Sequence, residues 1–146
     1  MMRTMVFMLF LAGLLVLSAC GTSSSSDSIT GIVWQWTSVT DRTSENETTT
    51  SVPHPEDYTI TFNEDGTLEG KADCNVFSGA YSQDGGFTIT LGATTRAYCG
   101  DASMDTQYLQ LLGSVSGGGP DGQGGLALET PGGAQRLMFQ DGGAAK

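Results

Sequence analysis

The chain has 146 residues, 38% of them hydrophobic and 15% charged, with 21 glycines. That composition excludes a bundle of long charged helices and points to one turn-rich domain with a single core. Six basic side chains against 16 acidic ones give a formal charge of -10. This disfavours nucleic-acid backbones and anionic lipid surfaces as partners and suits an acidic coat that keeps an exported domain soluble.

The first element in the chain is a targeting segment. Arg3 supplies a positive charge, Met5 to Val16 is an unbroken apolar run, and Leu17-Ser18-Ala19-Cys20 follows at once. The run is shorter than the ~20 apolar residues that span a bilayer and has the shape of a secretory signal. Leu17 suits an ordinary signal-peptide cleavage site poorly, and the alternative to weigh is a soluble secreted protein whose Cys20 is incidental. The Leu-Ser-Ala-Cys string instead resembles the bacterial lipobox, whose cysteine receives diacylglycerol and becomes the new N-terminus. Residues 1–19 are therefore expected to be a lipoprotein signal peptide. Cys20 is the expected lipidation site, holding the protein to the membrane through acyl chains such as palmitate. Residues 20–30, with the Ser23–Ser26 run, read as a flexible tether. The expected location is the bacterial cell envelope, facing outside the cytoplasm. Gly21 after the cysteine favours the outer membrane where the organism has one.

From Ile32 the pattern becomes alternation. Ile32, Trp34 and Trp36 fall on one face, which predicts a half-buried strand with a tryptophan pair in the core. Asp41 to Glu56 is polar and threonine-rich and reads as a long loop. Tyr58, Ile60 and Phe62 alternate again, Asn63-Glu64-Asp65-Gly66 turns the chain, and Leu68, Gly70 and Ala72 return it. A second hairpin is predicted from Gly79 to Leu91 around Asp84-Gly85-Gly86. The acids at these turns lack the spacing of a calcium loop, so turn chemistry accounts for them.

Met104, Tyr108, Leu111, Leu112 and Val115 lie on one helical stripe. Ser103 or Asp101 is the expected cap, and Asp105 suits the first turn. Ser116 to Gly125 is a glycine-rich loop without a phosphate-binding pattern. A last hairpin joins Leu126–Glu129 to Gln135–Phe139, and residues 141–146 are expected to fray. The sum is a mostly β chain of about seven short strands and one α-helix, an antiparallel barrel or strongly curved sheet.

Little in the sequence points to catalysis. His54, the single histidine, sits in a Pro-flanked loop with no marked nucleophile beside it. A zinc site from Cys74, Cys99 and His54 lacks close ligand spacing. No cofactor, metal or catalytic set is expected. With Cys20 committed to lipid, Cys74 and Cys99 remain as an even pair in an exported, oxidising setting. They either form a bridge, worth roughly 3–4 kcal/mol in the chain-entropy description, or stand as two buried thiols. The bridge is the preferred reading.

Trp34, the Tyr58-x-Ile60-x-Phe62 strand with its Asp65-Gly66 turn, Cys74-Asn75-x-Phe77-Ser78-Gly79-x-Tyr81, Thr95-Arg96-x-x-Cys99 and Met104-Asp105-x-x-Tyr108-Leu109 together resemble the META domain. This is the HslJ-like family of bacterial envelope proteins. The likeness covers about residues 30–140, and 31–140 is taken as the domain. Asp73 stands where the family usually has glycine before the first cysteine. Asp105 stands where it commonly has glutamate.

The resemblance implies a small, lipocalin-like, mostly antiparallel barrel with one helix, an envelope location and a loose tie to stress tolerance. It implies no catalytic site. Asn75, Phe77, Ser78, Gly79, Thr95 and Arg96 are the matching motif positions, expected to form turns, pack the core and brace loops. For Arg96 the expected role is a hydrogen bond to loop carbonyls or a carboxylate, with ligand binding as the lesser alternative. The functional expectation is a lipid-anchored, non-catalytic envelope protein serving envelope maintenance or stress tolerance. The alternatives are a protein-binding inhibitor of lysozyme or protease type, working through residues 41–56 on an envelope partner, or a carrier of a small apolar ligand.

Overall fold

The computed structural model describes residues 28–146. The expected signal peptide, the expected lipidation site Cys20 and most of the expected tether lie outside them. The described residues form nine strands in one antiparallel sheet, one α-helix and two single 3-10 turns. The strands are β1 (Ile32–Asp41), β2 (Thr48–Ser51), β3 (Tyr58–Phe62), β4 (Thr67–Ala72), β5 (Asn75–Ser82) and β6 (Thr88–Thr94). Helix α1 (Asp105–Gly113) follows, then β7 (Gly117–Pro120), β8 (Leu126–Glu129) and β9 (Gln135–Ala144). The sheet order is β6-β5-β4-β3-β1-β9-β8-β7, with β2 paired to the far end of β1. The sheet curls into a half-barrel, so the strongly curved sheet is realised and a closed barrel is not.

The curvature has local causes. The β1–β9 ladder slips register between Ile32 and Trp34 and again between Trp36 and Ser38, and each irregularity bends the strand. At Gly70 in β4 an added Cβ would overlap the Thr59 carbonyl oxygen and the Phe77 ring. The missing side chain lets the Phe77 ring lie across β4. Gly79 in β5 is as tight, pressed against the Thr90 carbonyl beside a register shift in the β5–β6 ladder.

Helix α1 follows one edge strand and precedes the other, and it lays Tyr108, Leu111 and Leu112 into the concave side. The Tyr108 ring stacks on Trp36 at 5.0 Å and meets Tyr58 and Phe77 edge-on at 5.8 and 6.1 Å. Phe62, Phe87, Leu112, Leu128 and Leu137 fill the rest, all at most 2% exposed. Each such side chain contributes roughly 1.5–3 kcal/mol of transfer free energy. The Ile32/Trp34/Trp36 alternation and the helical stripe thus meet in one core.

Five expectations need correction. Residues 48–51 are a strand where a loop was expected, because Asp41 to Ser38 of β1 run past β2 and pair with it. Residues 117–120 also pair, with β8, although they read Gly-Gly-Gly-Pro. The tail does not fray at 141: Ala144 pairs with Ile32, and the Ala145 N–H donates to the Gly31 carbonyl at 2.9 Å. The last residues of the expected tether are also engaged. Ile29 is 2% exposed and its carbonyl accepts from the Trp34 indole N–H at 2.9 Å. The residue that caps α1 is Met104, not Ser103 or Asp101, and it makes no side-chain cap bond, although Ser103 Oγ accepts from the Asp105 N–H at 3.2 Å.

Candidate functional site

The motif residues converge on one corner of the half-barrel. Asp73 and Cys74 make the two-residue turn between Ala72 and Asn75, which pair directly. Cys74 is bridged to Cys99 with Cα atoms 5.6 Å apart, so the segment after β6 is tied to the start of β5. Both thiols are thereby consumed, which removes them as ligands for a metal with His54. His54 itself is exposed and lies 3.5 Å from Glu56 on the turn before β3.

Asn75 is the centre of the corner and is 2% exposed. Its Nδ2 donates to the Ala97 carbonyl and to Asp105 Oδ2, both at 3.0 Å, with the Cys99 sulfur at 3.2 Å. Its Oδ1 accepts from the Ala97 N–H at 2.7 Å and from the Thr95 hydroxyl at 3.1 Å. One side chain thus fixes β5, the segment 95–99 and the start of α1 relative to one another. Thr95 closes the same joint, because its Oγ1 accepts from the Val76 N–H and its own N–H donates to the Val76 carbonyl. A buried amide with both ends bonded stabilises the fold, whereas one left unpaired would cost about 1–3 kcal/mol for each orphaned group.

Asp73 has φ 59, the left-handed region that favours glycine. The aspartate adds contacts that glycine lacks. The Tyr58 hydroxyl donates to its carboxylate at 3.3 Å and accepts from the Met104 N–H at 2.9 Å. The turn is therefore connected through Tyr58 to Met104, the N-cap residue of the helix. Tyr58, Asp73 and Asp105 were not singled out as a set by sequence reasoning, since the contacts join positions far apart in the chain.

The remaining motif positions divide by face. Phe77 is buried, Ser78 is exposed and Gly79 gives its close approach to β6. Arg96 is exposed and, among the described residues, makes no ion pair. The bracing expected of it comes from Asn75 and Thr95 instead. Beside it stands Tyr98, 80% exposed, its hydroxyl donating to Asp101. Val76, 56% exposed, lies across the corner. Arg96, Tyr98, Asn75 and Asp105 line a cleft of about 700 Å³ between β6 and α1, with Leu91 and Leu109 on its walls.

The META domain matches residues 27–142 of the chain. A protein from Burkholderia xenovorans, solved by NMR, is similar in fold with a TM-score of 0.60 at 21% identity, over 77% of this chain and 83% of that one. A DUF4847-family protein from Bacteroides vulgatus, known from a crystal structure, gives a TM-score of 0.61 at 14% identity, over 82% of this chain and 98% of that one. At such identities the likeness is one of fold. No curated protein matches the sequence.

Proposed function

The chain belongs to the META domain family, and on that basis we propose that it is a lipid-anchored protein of the bacterial cell envelope. Its domain acts without catalysis in envelope maintenance or stress tolerance. The observation that carries the location is the Leu17-Ser18-Ala19-Cys20 string behind a charged start and the apolar run Met5 to Val16. Lipidation at Cys20 leaves only a short polar stretch before Ile29, so the domain stands close to the membrane. A Cys74–Cys99 bridge suits a compartment outside the cytoplasm.

The non-catalytic reading rests on how the motif residues are used. Asn75 has both ends of its amide engaged, and Asp105 holds Asn75 and the Thr106 N–H. The interior is filled by Trp36, Tyr108, Phe62 and Phe87, which weighs against carriage of an apolar ligand inside the sheet.

Expression in a bacterial host with labelled palmitate tests the anchor. The chain is expected to take the label, to fractionate with the membrane and to accumulate as an uncleaved precursor when lipoprotein signal peptidase is inhibited. Cys20→Ser is expected to lose the label. A wild-type chain that is unlabelled and released in soluble form would overturn the proposal. A deletion strain grown under detergent or antibiotic stress tests the role, and growth equal to the parent across those conditions would count against it.

A further inference from the structure

Strand β6 is an edge of the sheet, paired on its β5 side only. Helix α1 runs beside it, with Gly113 against the Leu91 side chain and Asp105 at the opposite end against Asn75. The chain from Thr95 to Met104 joins the end of β6 to the start of α1, so the groove between them is closed at that end by the chain itself. Leu91, Gly92 and Thr94 form one wall, Leu109 and Gln110 the other, and Arg96 sits at the closed end.

Arg96 is unusual for this chain. Arg42 and Arg136 both reach Glu129 at 3.6 Å, and Lys71 holds Asp57 at 2.7 Å. Among the described residues, Arg96 alone of the cations before the terminal Lys146 has no carboxylate, in a protein with 16 acids. The carboxylate of Asp105 in the same groove is already taken by Asn75 and Thr106.

We propose that this groove binds the C-terminal segment of a protein in extended form, its main chain added to β6 and its terminal carboxylate on Arg96. An unpaired edge strand offers a row of N–H and C=O groups that an extended chain matches. An arginine fork matches a carboxylate in two parallel bonds. The closed end selects a chain terminus over a chain passing through. Because β6 runs toward that end, the bound segment lies parallel to it. Leu109 takes an apolar side chain near the terminus, and Leu91, beside Gly113, lines the groove farther from it. The disulfide and the Asn75 network fix the backbone on the C-terminal side of Arg96 before binding, which lowers the ordering cost of that segment. The groove is built from β6, α1 and the segment joining them, and it functions whether or not Cys20 is lipidated.

The full chain, held in detergent micelles, is offered a random hexapeptide pool with free C termini and, separately, the same pool as C-terminal amides. Bound peptides are read by mass spectrometry. The free-acid pool is expected to enrich peptides with an apolar residue near the end. The best of them, titrated by fluorescence anisotropy, is expected to weaken about tenfold or more on amidation, and equally in Arg96→Gln. The amide form is expected to bind Arg96→Gln and the parent alike, and the β6 amide resonances should shift on binding. Arg96 is exposed, so Arg96→Gln is expected to melt with the parent. No enrichment from either pool, equal enrichment from both, or an Arg96→Gln affinity for the acid equal to that of the parent would each overturn the proposal.

Discussion

Two segments of this chain rely on polar side chains and behave differently in the fold. One is the corner from Asp73 to Asn75 with its partner 95–105. The other is the arm from Thr40 through β2. In the corner the bonds of the Asn75 side chain are half-buried and reach across 20 to 30 residues of sequence. In the arm they are local or cross-strand and exposed: Thr40 to Thr49 at 2.9 Å, and Asp41 to the Thr43 N–H and hydroxyl at 2.9 and 2.6 Å. All four residues of β2 are exposed. Polar residues therefore secure a fold in proportion to what becomes unpaired when they are removed, and water can replace the arm's bonds far more easily than the corner's.

The largest expected effect tests the corner. Asn75→Ala removes the amide and leaves the Ala97 N–H and carbonyl without their partner, so a loss of about 3–4 kcal/mol is expected in urea unfolding. A loss under about 1 kcal/mol would mean that water enters the corner as freely as the arm. Cys74→Ser with Cys99→Ser comes next, at roughly 3 kcal/mol, since the bridge spans a sequence separation of 25. The two changes act on the same joint, and a triple variant is expected to lose less than their sum.

Tyr108→Phe sharpens the comparison from the opposite side. The Tyr108 hydroxyl is buried with no hydrogen-bond partner, and burial holds its pKa well above the usual tyrosine range. Burial without a bond costs stability, so removing the oxygen is expected to be neutral or to stabilise by up to about 1 kcal/mol, read as a raised melting temperature. Tyr58→Phe is the matched control. It is expected to cost about 1 kcal/mol, because its hydroxyl joins Met104 to Asp73.

The same contrast explains which parts were legible in the sequence. The alternation of Ile32, Trp34 and Trp36 and the stripe from Met104 to Val115 reported the core, because burial imposes a period on the chain. Strands β2 and β7 had no such period: Thr-Thr-Thr-Ser is exposed throughout, and Gly-Gly-Gly-Pro carries almost no side chain to pattern. Their pairing is decided by neighbours distant in sequence. The motif Asn75, Thr95 and Cys99 could be located by resemblance, but the amide's joint hold on Ala97 and Asp105 could not. Asp73 marks the limit well. Its left-handed backbone was foreseeable from the glycine it replaces, while the Tyr58 contact that accompanies it needed the fold.

The smallest expected effects belong to the arm. Thr49→Ala should stay within about 0.5 kcal/mol of the parent, as befits an exposed hydroxyl pair. Acid provides a second route to the same place. The Thr43 hydroxyl and N–H hold the Asp41 carboxyl below its usual 3.8. A carboxylate depressed by folding contributes stability above its unfolded pKa, and that contribution is lost as pH falls through the folded value. Amide exchange compared at about pH 6 and about pH 3, after correction for intrinsic rates, should therefore show protection lost at Thr43 and at the β1–β2 pairing. The Ala97 amide, held by a neutral side chain, should keep its protection over the same range. Asp41→Asn should remove the pH dependence in the arm alone. Equal loss at Ala97 and Thr43 would mean that corner and arm open together, and that the fold does not separate them.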